Sequence, residues 1–241
     1  MSDTKKFTGK VFIVTGASGA IGKESAFRLA NLGATVILMG RKEEKLNQIY
    51  DIIVARGNPE PVIVTMDFNK VTSEDYYGLS HNIAQEFPKI DGIIHTAVNL
   101  GNLAPLAHTE PAKWDLSINL ALNAPFYLTQ AMLPLLHKAE PRASVIFFEH
   151  NEVASGKAYW GSYAVAKAGI ATLKRLFAEE YEAGQAIQFN SIDPVRINSA
   201  LQFSVSPTGA ENPKSLRDVC NLVEKLCDTE REYINGETFT L

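Results

Sequence analysis

Apolar residues along the chain gather into short β-rich runs, separated by stretches in which they recur every three or four positions. The first run, Lys10-Val-Phe-Ile-Val-Thr15, reads as a strand buried on both faces. It passes directly into Gly16-Ala-Ser-Gly-Ala-Ile-Gly22 and then into a helical pattern through Ala26, Leu29 and Ala30, ended by Gly33. Further strands are expected over Ala34–Met39, Pro61–Met66, Ile90–Val98, Ala143–Phe148 and Ile187–Ile192, with a short terminal one over Glu237–Leu241. Helical spacing occupies 42–57, 72–87, 111–139 and 160–183, the third broken or bent by Pro125 and Pro134, and a final helix carries Cys220 and Cys227. Residues 194–213 carry few regular signals.

Strands that alternate with helices throughout, with no linker or repeat, predict an α/β fold. The expected form is one Rossmann-like, doubly wound parallel sheet of about seven strands, helices on both faces, as a single domain over residues 1–241. In such a sheet ligands bind at the carboxyl ends of the strands. Gly16 to Gly22, Arg41, Asp67, Thr96, His150 and Pro194 all follow strand ends, so the candidate chemistry converges there.

Composition narrows the partners. A formal net charge of −4 weighs against nucleic-acid and anionic-membrane partners. No apolar run approaches the ~18 residues of a membrane span and no secretory signal pattern opens the chain, which predicts a cytoplasmic protein. The two cysteines stand seven apart on one helical face and read as small buried apolar side chains rather than redox or metal groups. No metal cluster is visible, so no metal is expected.

Three features carry chemistry. The glycines between the first strand and helix permit a tight turn and close approach of backbone to a pyrophosphate, with the helix N-terminus facing its charge. At the end of the second strand no acid is present to bond a ribose 2′-hydroxyl; Arg41 and Lys42 follow at once, which favours NADP over NAD. Tyr163 and Lys167, four apart, lie on one helical face. A free Tyr titrates near ~10, so sharing its proton near neutrality requires stabilisation of the tyrosinate by about 4 kcal/mol, much of which a nearby ammonium can supply.

Together, Thr15-Gly-Ala-Ser-Gly-Ala-Ile-Gly22, Asp67, Asn119 in Ser-Ile-Asn-Leu, Tyr163-Ala-Val-Ala-Lys167 and Pro194 resemble, in the right order, the short-chain dehydrogenase/reductase family. The resemblance covers nearly the whole chain, and Trp160-Gly161 is similar to its NADPH-type bacterial branch. It implies Tyr163 as general acid in carbonyl reduction and base in alcohol oxidation, and Lys167 as the group that bonds the nicotinamide ribose and lowers the Tyr pKa. Asn119 would hold a water that links Lys167 to solvent. Gly16, Ser18 and Ile21 would line the pyrophosphate, Asp67 the adenine edge, and Pro194, Ile197 and Ser199 the nicotinamide side. Asp67 can alternatively cap the next element. A small carbonyl or alcohol substrate and a homodimer or homotetramer are implied as well.

The departures concentrate around the nicotinamide and substrate. Where the family carries a Ser thirteen residues before the Tyr, this chain has His150. An imidazole can donate a hydrogen bond to a carbonyl in its place, or His150 can be a surface loop residue beside Glu149. Val98 and Val195 stand where the family has Gly and are expected to narrow or block the nicotinamide pocket. A carbonyl reductase is therefore the first reading; a pseudoenzyme that keeps the fold, or a structural subunit paired with an active homologue, are the others.

Overall fold

The computed structural model describes residues 5–241. Its strands are β1 (Val11–Thr15), β2 (Thr35–Gly40), β3 (Val62–Thr65), β4 (Gly92–His95), β5 (Ala143–Phe148), β6 (Ile187–Asp193) and β7 (Thr238–Thr240). All seven pair in parallel in one sheet of order β3-β2-β1-β4-β5-β6-β7. The helices that join them are α1 (Ala20–Asn31), α2 (Glu43–Ala55), α3 (Ser73–Glu86), α4 (Pro111–Ile118), α5 (Ala124–Leu136), α6 (Asn151–Ala154), α7 (Gly161–Tyr181), α8 (Ala200–Val205) and α9 (Leu216–Cys227). The doubly wound parallel sheet expected from the sequence is the fold.

Alternation along each strand divides the interior into two cores, because successive side chains leave opposite faces. Phe12, Val14, Val36, Leu38, Ile146 and Phe148 pack on one face against α1, α2 and α9. Val11, Ile13, Ile37, Met39, Val145 and Phe147 pack on the other against α3, α5 and α7. Cys220 and Cys227 are free thiols on the buried side of α9, in the role of small apolar side chains.

Differences from the sequence reading have local causes. The expected strand over Ile90–Val98 pairs only as Gly92–His95, since the chain leaves the sheet at Thr96 to enter the loop above it. The expected helix over 111–139 is interrupted at Asn119–Asn123 by a wider π turn. Pro125 follows that turn and sits in the first turn of α5; without an N–H it cannot return a bond to the preceding turn. Pro134 is accommodated inside α5. The segments 148–160 and 194–213 contain the short helices α6 and α8, whose few residues carry no periodicity to read.

Packing at the sheet centre admits no extra atom at Gly92. A Cβ there would collide with the Ser144 carbonyl oxygen on the paired strand and come within 3.0 Å of the Phe12 ring. Gly92→Ala should therefore lower the unfolding free energy by ~1–3 kcal/mol, the usual range for overpacking. Urea denaturation checks this; an unchanged midpoint would mean that the strands separate freely at this point.

Candidate active site

The sheet order reverses direction between β1 and β4, and the loops that leave these two strands separate to form a crevice. The β1 turn presses against the β4 end there. Gly16 adopts φ +60°, and a Cβ on it would lie 2.7 Å from Ala97 Cα. A Cβ on Gly22 would meet the Gly16 carbonyl and sit 2.6 Å from Thr96 Oγ1. Thr96 holds the two loops together by donating to the Thr15 carbonyl at 2.5 Å. Only glycine satisfies both positions, which explains the spacing seen in the sequence.

A cleft of about 450 Å³ runs from this turn across the strand ends. Gly16, Ser18, Ile21, Arg41, His150, Tyr163, Lys167, Pro194, Ile197 and Ser199 all line it, so the fold brings ten of the sequence candidates into one space. Helix α1 points its N-terminus into the cleft with no capping side chain and no acid in its first turn. Its leading N–H groups and dipole are thus available to an anion. At the same end Arg41 and Lys42 are joined by Lys45, one turn into α2, which the sequence reading missed. None of the three makes an ion pair among the described residues.

Two candidates lie elsewhere. Asp67 does not line the cleft: its Oδ1 accepts from the Asn69 N–H at 3.2 Å, and Met66 and Phe68 flank the cleft instead. Its contacts are those of a local turn cap, the alternative role. Asn119 opens the π turn, where its Oδ1 accepts from Asn123 Nδ2 at 2.8 Å. It borders a second cavity of about 230 Å³, and Leu120 faces the main cleft in its place.

The far end of the cleft is built on α7. Tyr163, Lys167, Ile170, Lys174 and Phe177 recur at intervals of four and three, and all five are buried. Lys167 Nζ donates to the Phe148 carbonyl at 2.6 Å and lies 5.5 Å from the centre of the Tyr163 ring. Burial holds its pKa down to about 8, against the upward pull of Asp193 and Glu149. Tyr163 is 5% exposed, and burial raises its pKa above the ordinary 10, with the Asp193 carboxylate adding to the rise. Burial, rather than Lys167, sets the direction of this shift in the cofactor-free protein. The ammonium is directed at a main-chain carbonyl rather than at the phenol oxygen, so desolvation prevails and the phenol keeps its proton.

His150 is no surface loop residue. It is half-buried, its Nδ1 stands 3.4 Å from Tyr163 Oη, and its ring meets those of Tyr163 and Trp160 edge-on, each at 5.9 Å. Burial lowers its pKa, the first of several effects that include opposing pulls from Asp193 and Lys167. Nδ1 and the phenol share this contact, in which the donor is set by the imidazole tautomer. Neither valine closes the site. Val98 and Val195 both line the open cleft. Val195 takes the left-handed conformation that a glycine would occupy, at φ +55°, held by its N–H on Asp193 Oδ1 at 2.9 Å.

The sequence reading also missed a buried polar cluster behind His150. Glu149 accepts from Ser191 at 2.5 Å and from Thr238 at 3.3 Å, and its carboxylate lies 3.7 Å from Lys174 Nζ. Lys174 in turn donates to the Gly236 carbonyl and Thr238 Oγ1. The only signal available was Lys174 seven residues after Lys167, on the same helical face. Its partners come from β5, β6 and β7 and could not be paired from spacing.

Over residues 10–209 the chain matches the family model for short chain dehydrogenases. It is 36% identical to the uncharacterized oxidoreductase YciK of Escherichia coli K12 over 233 residues, which span 95% of this chain and 90% of that protein. A short chain dehydrogenase from Shigella flexneri, solved in complex with NADP, superposes with a TM-score of 0.92 at 33% identity and covers 99% of both chains. A short chain dehydrogenase from Escherichia coli CFT073, complexed with NADPH, gives 0.91 at 35% identity, covering 99% of this chain and 98% of its own. On that match and these identities the chain belongs to the short-chain dehydrogenase family, the one its motifs resemble.

Proposed function

We propose that this protein is an NADPH-dependent reductase of carbonyl compounds, able to run the reverse alcohol oxidation, with Tyr163 as general acid and base. The observation that carries this reading is the setting of Tyr163: a buried phenol on the cleft wall, with His150 Nδ1 at 3.4 Å and Lys167 Nζ 5.5 Å from its ring. A protonated acid is the form that carbonyl reduction consumes.

The residues fit an NADP cofactor, which relatives of similar structure hold. The cradle at Gly16 and Gly22 leaves no room for a side chain, and the uncapped N-terminus of α1 offers its amides to a pyrophosphate through Ser18 and Ile21. Arg41, with Lys42 and Lys45, would hold the 2′-phosphate. Lys167 would bond the nicotinamide ribose, with Pro194, Ile197 and Ser199 along the nicotinamide side. When bound, NADPH supplies the hydride. Tyr163 then gives its Oη proton to the carbonyl oxygen as negative charge develops there, and His150, whose Nδ1 lies beside the phenol, would donate a second hydrogen bond to that oxygen in the tautomer that carries the proton on Nδ1.

Three outcomes are expected. Tyr163→Phe should cut turnover by ~10²–10⁴-fold while NADPH affinity stays within a few-fold, because only the proton donor is removed. Full turnover in this variant would refute the assigned chemistry. Arg41→Ala should weaken NADPH about ten-fold or more and NADH little, in fluorescence titrations of each reduced cofactor, as expected for a lost charge-assisted contact. Equal losses would remove the 2′-phosphate role. Lys167→Met should stabilise the cofactor-free protein. The shift of Lys167 from its ordinary 10.5 to about 8 corresponds to about 3 kcal/mol against the folded, protonated state, less about 1 kcal/mol for the lost Phe148 hydrogen bond. Because the folded pKa lies below the unfolded one, this penalty is complete below pH 8 and fades as the pH rises towards 10.5. Urea denaturation should accordingly show the Met variant more stable by about 2 kcal/mol at pH 7, an advantage gone at high pH.

A further inference from the structure

We infer that this site takes an uncharged carbonyl compound with an apolar body and excludes anionic keto compounds. The inference rests on the reductase reading and names its substrate class. Beyond Tyr163 the cleft is walled by Val98 and Leu100 from the segment after β4, Trp160 at the start of α7, and Leu201 and Val205 on α8. These side chains pack with Val153, Tyr163 and Ala164 into an apolar cluster separate from the two sheet cores. Three distant parts of the chain thus converge on one apolar chamber around the phenol.

The charges near this chamber are already engaged. Lys167 donates to the Phe148 carbonyl. Glu149 is bound by Ser191, Thr238 and Lys174. Asp193 accepts from the Asn151 and Val195 amides. Beside the chamber, Lys157 and Arg196 both grip the Glu152 carboxylate, at 2.6 and 3.0 Å. Gln202, the polar residue of α8 that faces the cleft, is uncharged. Of the cleft-lining cations, Arg41, Lys42 and Lys45 belong to the opposite end, and Lys167 is the one at this end, bonded to a main-chain carbonyl. An anionic substrate would lose its hydration here for a single ammonium, Lys167, that is already bonded to Phe148, and the Glu149 carboxylate also lies on the lining. An apolar body gains by leaving water, and its carbonyl still finds Tyr163 and His150.

A matched pair of probes tests this: ethyl benzoylformate and benzoylformate, which differ by an ester against a carboxylate. Calorimetric titration of each into the NADP-loaded protein should give at least ten-fold tighter binding of the ester. Leu201→Arg, on the half-buried α8, should cut that preference at least ten-fold by placing a cation in the chamber, with an unchanged melting temperature as the check on folding. Benzoylformate bound as tightly as the ester, or no binding of the ester at millimolar concentration, overturns the inference, as does an unchanged preference in the Arg variant. Loss of NADPH absorbance with each probe separates the two readings. Ester-selective binding without reduction of either probe would sustain the substrate class and defeat the reductase. Preferential reduction of benzoylformate would do the reverse.

Discussion

The structure depends on one steric contact, the approach of the β1 turn to the backbone at the end of β4. With Gly16 at φ +60° and no side chain at Gly22, the turn lies directly on Thr96 and Ala97. That contact closes the sheet at its switch point and aims the N-terminus of α1 into the cleft. The remainder of the site is arranged along the strand ends from this fixed point. A methyl group at either glycine would push the two loops apart, and with them the cradle and the cleft floor.

Against this rigid frame the protein holds several charges out of water. Lys167, Lys174, Glu149 and Asp193 are all nearly inaccessible, and each has main-chain or side-chain partners. Glu149 and Lys174 tie α7 to the ends of β5, β6 and β7 in a single polar cluster. Truncating one partner of such a pair leaves an uncompensated buried charge, the usual cause of large destabilisation. Lys167 differs, since its partner is a carbonyl and burial depresses its pKa to about 8. A buried ammonium of that kind is retained at the expense of stability, which is common at sites of chemistry.

The departures from the family pattern are absorbed without closing the cleft. Val195 occupies left-handed backbone that β-branched residues avoid, and the Asp193 carboxylate holds its amide in place. Val98 joins the apolar cluster around Tyr163 instead of filling the cleft. His150 sets a half-buried imidazole beside the phenol, edge-on to the rings of Tyr163 and Trp160.

The sequence by itself determined the order of strands and helices, the cradle and the Tyr163–Lys167 face. Each of these is local: period-two and period-3.6 patterns, a glycine turn and a four-residue spacing act over a few neighbouring residues. Tertiary structure decided whatever needs partners far apart in the chain. Asp67 and Asn119 carry the family's identities in sequence, yet their side chains turn to Asn69 and Asn123. Burial of Tyr163 by residues from three segments raises the pKa that a neighbouring lysine alone would lower. The Glu149–Lys174 cluster and the apolar chamber are likewise products of folding, because hydration, charge and contact at those atoms are set by neighbours that spacing along the chain does not specify.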